Sequence, residues 1–196
     1  ECLPINPVTV GATAAVTSVE QERVDTSLGG WSRTAERDEI LALSDPMYLD
    51  GVIVAAPKEY SNWDEIEGLK IGAVQGYVVQ GELEKAFPGQ VTTYPEPTLL
   101  AEDLKSGRID VAVDVSSSVN YYSDDATISV LEPDERLATT VEPIQTGLPF
   151  SKDNPELRDA FNDYIHELHD AGDMPELLEK WNIDPSMADV GEPRLI

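Results

Sequence analysis

Positive charge is scarce in this sequence. Its 196 residues hold 13 Lys and Arg against 38 Asp and Glu, a formal charge of -25. Such a field opposes polyanions, which excludes nucleic acid and anionic membrane surfaces as partners. The acidic excess reads as a solvated coat that favours solubility rather than as a cation-binding device.

Cysteine is nearly absent. Cys2 stands alone, so no intrachain disulfide and no cysteine metal cluster can form, and Cys2 reads as a small apolar residue rather than a reactive thiol. Histidine is limited to His166 and His169 on a helical segment. Without the His-Glu spacing of zinc enzymes they read as surface residues, so no metal is expected. No run of about 18 apolar residues exists, which excludes a transmembrane helix, and "ECLPINPVTV" lacks the basic and apolar regions of a signal peptide. The chain is therefore either cytoplasmic or one whose leader has been removed. The serines of "SSSV" (116–119) lack a nucleophile elbow and read as loop or capping residues. "GAVQG" (72–76) lacks the Gly-Lys-Ser/Thr of a P-loop and the third glycine of a dinucleotide fingerprint.

What is present is an alternation of strand and helix patterns. "PVTV" predicts a short strand, and "ATAAVTSVEQERV" a helix with Ala15, Val19 and Glu22 at helical spacings. "VDTSLGG" predicts a strand ending at two glycines. Thr34 is placed to cap a short helix over "AERDEILAL", with Arg37 in its first turns. Val52 to Ala56 and Lys70 to Val74 predict strands. A helix over "YVVQGELEKAF" is stopped by Pro88 and Gly89, and "TLLAEDLKSG" leads to the strand "IDVAVDV". Near the C-terminus Asn154 caps a helix with Pro155 at its first position, and Leu157, Phe161, Tyr164, Ile165 and Leu168 form its apolar stripe up to Gly172. "MPELLEKWN" predicts a further helix, and the last residues a tail. This order predicts an α/β fold of right-handed βαβ units with a mostly parallel sheet. "VEQERVDTSLGG" and "LKSGRIDVAVDV" resemble each other, which fits two similar lobes with a cleft between them.

Two stretches could form an anion-binding corner. In "SLGGWSRTAER" (27–37) the Arg37 guanidinium can clamp a carboxylate bidentately, with Ser32 and Thr34 as donors and Gly29 and Gly30 admitting a ligand to the main chain. "GAVQG" adds backbone N–H groups at a helix start. The alternatives are an arginine paired with Glu36 or Glu39 at the surface and an ordinary βα turn.

These residues carry a resemblance. Val24-Asp25, the run Gly29 to Arg37, and Leu43-Ser44-Asp45-Pro46-Met47-Tyr48 resemble the central motif of the family 3 extracellular solute-binding proteins, the polar amino-acid-binding subunits of ABC importers. "LKIGAVQG", "LKSGRIDVAVDV" and the ending up to "LLEKW" continue it, so that it covers residues 8 to 184. The resemblance implies a type II periplasmic-binding-protein fold: lobe I of residues 1–53 and 145–196, lobe II of 54–144, joined by a two-strand hinge. Val52 to Ala56 would be its outgoing strand, and the chain would return between Thr139 and Gly147. Measured against the family, the chain starts near the second strand, so lobe I is expected to be incomplete.

The same resemblance implies a non-enzymatic receptor with no cofactor, outside the cytoplasm, capturing an amino acid or related small carboxylate for delivery to an ABC permease and acting as a monomer. Arg37 would hold the ligand carboxylate with Ser32, Gly30 would offer its carbonyl to an ammonium, and Trp31 would form a wall. Gly76, Tyr77 and Val78 would complete the site from lobe II, while Arg33 falls at a variable position and is expected at the surface. The acid that pairs with the ammonium falls at Val115, one residue after Asp114. Asp114 serves only if the strand end is irregular; otherwise the ligand is not a standard α-amino acid. An enzyme resembling cyclohexadienyl dehydratase and a ligand-sensing domain are the alternative implications.

Overall fold

The computed structural model describes residues 4–196; Cys2 lies outside them. The largest sheet has five strands in the order β6-β5-β7-β4-β8. They are β4 (Val52–Ala56), β5 (Ile71–Val74), β6 (Val91–Tyr94), β7 (Val111–Val115) and β8 (Thr127–Ser129). Two βαβ units build its parallel part, in which β5 pairs with β6 and β7 through the crossover helices α3 (Val78–Ala86) and α4 (Pro97–Lys105). β4 runs antiparallel to both β7 and β8, so the sheet is mixed.

The period-2 alternation of strand side chains sorts the core into two layers. Val54, Val111 and Val113 pack with Val79, Leu83 and Phe87 on the α3 side. Ala55 and Ala112 pack with Leu100 and Leu104 on the α4 side. Val52–Ala56, expected as a hinge strand, is buried throughout and belongs to this sheet. Its β-branched residues have a neighbouring strand on each side, which suits a central strand.

Residues before and after this unit form two smaller antiparallel sheets. One is β1-β9-β3, with β1 (Trp31–Ser32), β3 (Leu49–Asp50) and β9 (Ile144–Gly147). The other pairs β2 (Ala42–Leu43) with β10 (Pro149–Phe150). Chain crossings between the two parts fall at Gly51, which joins β3 to β4, and between α5 (Ala138–Val141) and β9.

α1 (Ala12–Glu20) buries Val19 against Leu41 and Leu43. It is shorter than its pattern, because Glu22 adopts φ 55, outside the helical region. "PVTV" forms no strand, and the strand predicted from "VDTSLGG" is reduced to a bridge between Thr26 and Phe150. Pro4 and Pro7 lack a ladder donor, and Asp25, Thr26 and Ser27 line a cavity.

α6 (Pro155–Ala171) starts at the Asn154 cap and stops at Gly172, whose φ of 78 suits glycine. Of its predicted stripe Ile165 is buried, while Tyr164 is 57% exposed. α7 (Asp173–Lys180) follows. The tail is ordered against the rest: Gln145 on β9, 1% exposed, donates Nε2 to the Val190 and Glu192 carbonyls, and its Oε1 accepts from Arg194 N–H and Arg33 Nη1.

Candidate functional site

The site begins with β1, which two registered pairs hold on β9, Trp31 opposite Gly147 and Ser32 opposite Thr146. Gly30, just before it, lies so close to Tyr48 that an added Cβ would meet the phenol oxygen at 2.3 Å. Thr34 then turns the chain into α2 (Ala35–Ile40), its hydroxyl accepting from Arg37 N–H at 3.1 Å. This cap brings Arg37 back over β1: Nη1 donates to the Ser32 carbonyl at 2.8 Å, and the guanidinium lies 5.0 Å from the Trp31 ring centroid. Stacking and one fixed bond orient the fork.

Arg37 Nη2 donates to the Gly76 carbonyl at 3.4 Å. Gly76, at φ 84, makes the turn from β5 into α3. Tyr77 is the N-cap residue and Val78 opens the helix, whose first-turn amides have no intrahelical acceptor. Gly30, Trp31, Ser32, Arg37, Tyr77 and Val78 all line one cavity of about 1180 Å³, and Gly76 borders it through its bond to Arg37. The cavity continues from this polar corner along an apolar wall that includes Val24, Leu28, Leu157 and Phe161.

Its electrostatics favour an anion. Burial pulls the Arg37 guanidinium below its ordinary value, only partly opposed by Glu36, and among the described residues no carboxylate pairs with it. Among the described residues the buried Trp31 indole N–H has no partner. Tyr77 is pushed up to about 12 by burial, with Asp114 adding to the rise, so it stays a neutral phenol.

Arg33 is not a surface bystander. Nε donates to the Ser44 carbonyl at 3.0 Å, and Nη1 to Gln145 Oε1 at 3.0 Å and the Arg194 carbonyl at 2.8 Å. It ties β1 to β9 and the tail.

Asp114 does not join the cavity. β7 is regular to its end, with Asp114 opposite Ile53 and Val115 opposite Val52, so the irregularity that Asp114 required is missing. Its carboxylate accepts from Val115 N–H and the Tyr122 hydroxyl, each at 2.8 Å, while Val115 lines the cavity. Sequence reasoning also missed an acid. Asp50, on β3, lines the cavity, is 3% exposed, and accepts from Ser117 N–H at 3.1 Å and Ser117 Oγ–H at 2.7 Å. Burial, with Asp114 contributing, pushes it up to about 7 against the Ser117 bonds that lower it.

The sequence pattern of the bacterial extracellular solute-binding proteins, family 3, matches residues 2–184. The chain belongs to that family. Among curated members it is similar to the arginine-binding extracellular protein ArtP of Bacillus subtilis, 25% identical over 173 residues covering 85% of this chain and 66% of ArtP. It is also similar to the L-cystine-binding protein TcyJ of Escherichia coli, 27% identical over 173 residues, 84% of this chain and 62% of TcyJ. The chain thus spans about two thirds of the length of these relatives. A solved amino acid ABC transporter substrate-binding protein from Streptococcus pneumoniae, bound to L-arginine, superposes with a TM-score of 0.78 at 20% identity, over 89% of this chain and 74% of that one. The fold of this family 3 chain is therefore that of the type II periplasmic binding proteins. Among the described residues no helix is long and apolar enough to cross a membrane.

Proposed function

We propose that this chain is the solute-capturing part of an ABC importer, taking a small carboxylate-bearing molecule, an amino acid or a close derivative, into the cleft for delivery to a permease. The observation that carries this is Arg37: a half-buried cation on a cavity wall, oriented by Trp31 and Ser32, with no acid of the described chain paired to it. In a protein of charge -25, an unpaired arginine there is a receptor for an anion from outside. The relatives' names support an amino acid, since those proteins are named for arginine and cystine.

The strand pairings support two lobes, 1–53 with 145–196 and 54–144, with the junctions drawn by β membership close to Gly51 and Pro143. Arg37 from the first and Tyr77 and Val78 from the second then close on the solute as the crossings bend. Action as a monomer outside the cytoplasm, and binding without turnover, are part of the proposal. Formation of product from prephenate or arogenate would overturn the last point.

Differential scanning fluorimetry against the common L-amino acids and small carboxylates tests the proposal. A ligand that binds only the native state stabilises it by about 2.7 kcal/mol at a hundredfold excess over Kd, so the expected result is a Tm that climbs with ligand concentration. An unchanged Tm across the whole panel would overturn it.

A further inference from the structure

A solute that gives its carboxylate to Arg37 and also carries a protonated amine needs an acid on the same cavity. Asp114 lies on the α4 side of the sheet, the side of Ala112, and is held there by Tyr122. Position 115, where the family resemblance places the acid, is valine and lines the cavity as an apolar surface. Asp50 is different. It shares the cavity with Arg37, Trp31 and Tyr77, is 3% exposed, and has no Lys, Arg or His in ion-pair contact among the described residues. Both its hydrogen bonds come from Ser117, which fixes the carboxylate and leaves acceptor positions unused.

We infer that Asp50 is the cation-holding acid of the cleft, so that the protein takes zwitterionic solutes, small molecules with a carboxylate for Arg37 and a protonated amine for Asp50. The inference rests on the proposed capture of a carboxylate by Arg37. It moves the acid from the end of β7 to β3, next to the crossing at Gly51. Both charges of the solute are then gripped from the small-sheet part of the chain. From the other part, the 3-10 turn Ser116–Tyr121 holds Asp50 through the Ser117 bonds. Around Asp50 stand Asp114 on β7, Tyr48 ahead of β3 and Tyr77 at the start of α3. None of these is cationic, so an incoming amine supplies the missing charge. Because burial holds a proton on Asp50 up to about pH 7, amine binding in mild acid expels that proton and strengthens as pH rises towards that value.

Isothermal titration calorimetry of the full chain, Asp50→Asn and Arg37→Met against the common L-amino acids, with glutarate and pentanoate as amine-free carboxylates, tests this. The expected result is an L-amino acid that binds the parent protein and loses about tenfold or more in affinity to Asp50→Asn, while any glutarate or pentanoate binding survives that substitution. On the parent protein, which needs no variant to fold, titrations at about pH 6 in buffers of different ionisation enthalpy should show proton release. Equal amino-acid affinity in the parent and Asp50→Asn, or no proton release, overturns the inference. Binding of amine-free carboxylates alone, lost in Arg37→Met, overturns the role of Asp50 and leaves that of Arg37 standing. Silence from every compound removes both.

Discussion

Arg37 and Gly76 meet across the cleft: a guanidinium N–H from α2 lies 3.4 Å from the carbonyl that ends the β5 turn. This long, single bond is the polar contact that a ligand carboxylate would displace or share, and the Ser32 bond on Nη1 keeps the fork in place while it does so. If the two parts close on a solute as proposed, a weak tether of this kind would let them part again.

Removing the fork should therefore remove capture without unfolding the protein. Arg37→Met keeps the stem that packs beside Trp31 but loses every donor, and solute affinity should drop about a hundredfold. Arg37→Lys should recover only part of it, since an ammonium cannot bind bidentately. Calorimetric titration, with urea melts showing stability near that of the parent, checks both.

Arg33 should behave in the opposite way. Its three bonds hold Ser44, Gln145 and the Arg194 carbonyl together, and Arg33→Met leaves these acceptors short of a charged donor. A stability loss of about 2 to 3 kcal/mol is expected, read from urea unfolding, with a smaller effect on solute affinity than that of Arg37→Met.

Gly30→Ala drives a methyl against the Tyr48 hydroxyl, 2.3 Å away before relaxation. The expected cost is about 1 to 3 kcal/mol, and Tyr48→Phe, which deletes that oxygen, should relieve part of it. A double-mutant cycle in which the two losses simply add would contradict the contact.

Asp50 gives stability a definite pH dependence. Its folded value, about 7, lies above the ordinary carboxylate value of 3.8, so between these values the folded state holds a proton that the unfolded chain releases. Its contribution is most favourable in acid and is lost as pH rises from about 4 to about 7. Ligand-free Asp50→Asn should lack this arm and exceed the parent in stability at about pH 8, as measured by denaturant melts across pH.

Local signals made much of the fold legible. The Thr34 cap, the Pro88-Gly89 stop and the Asn154-Pro155 start each act within a few residues, and the helices they bound are present. That Gly30, Trp31, Ser32 and Arg37 share one cavity wall was legible because they belong to one continuous segment. Asp50 was not, since β3 has only two residues, too few to show a period, and the partner that buries it, Ser117, comes 67 positions later. Arg33 was misplaced at the surface for the same reason: its acceptors come from Ser44, Gln145 and Arg194. The strand predicted at Pro7 to Val10 failed because alternation supplies no ladder partner.

The last residues have a bearing on the cleft that their position in the chain conceals. Ile196 N–H donates to the Arg33 carbonyl at 3.1 Å, and the Ile196 carbonyl accepts from Ala35 N–H at 2.9 Å, at the first residue of the helix that carries Arg37. The tail is thus a splint on the helix that carries Arg37, and shaving it away would leave that guanidinium chemically intact yet poorly aimed.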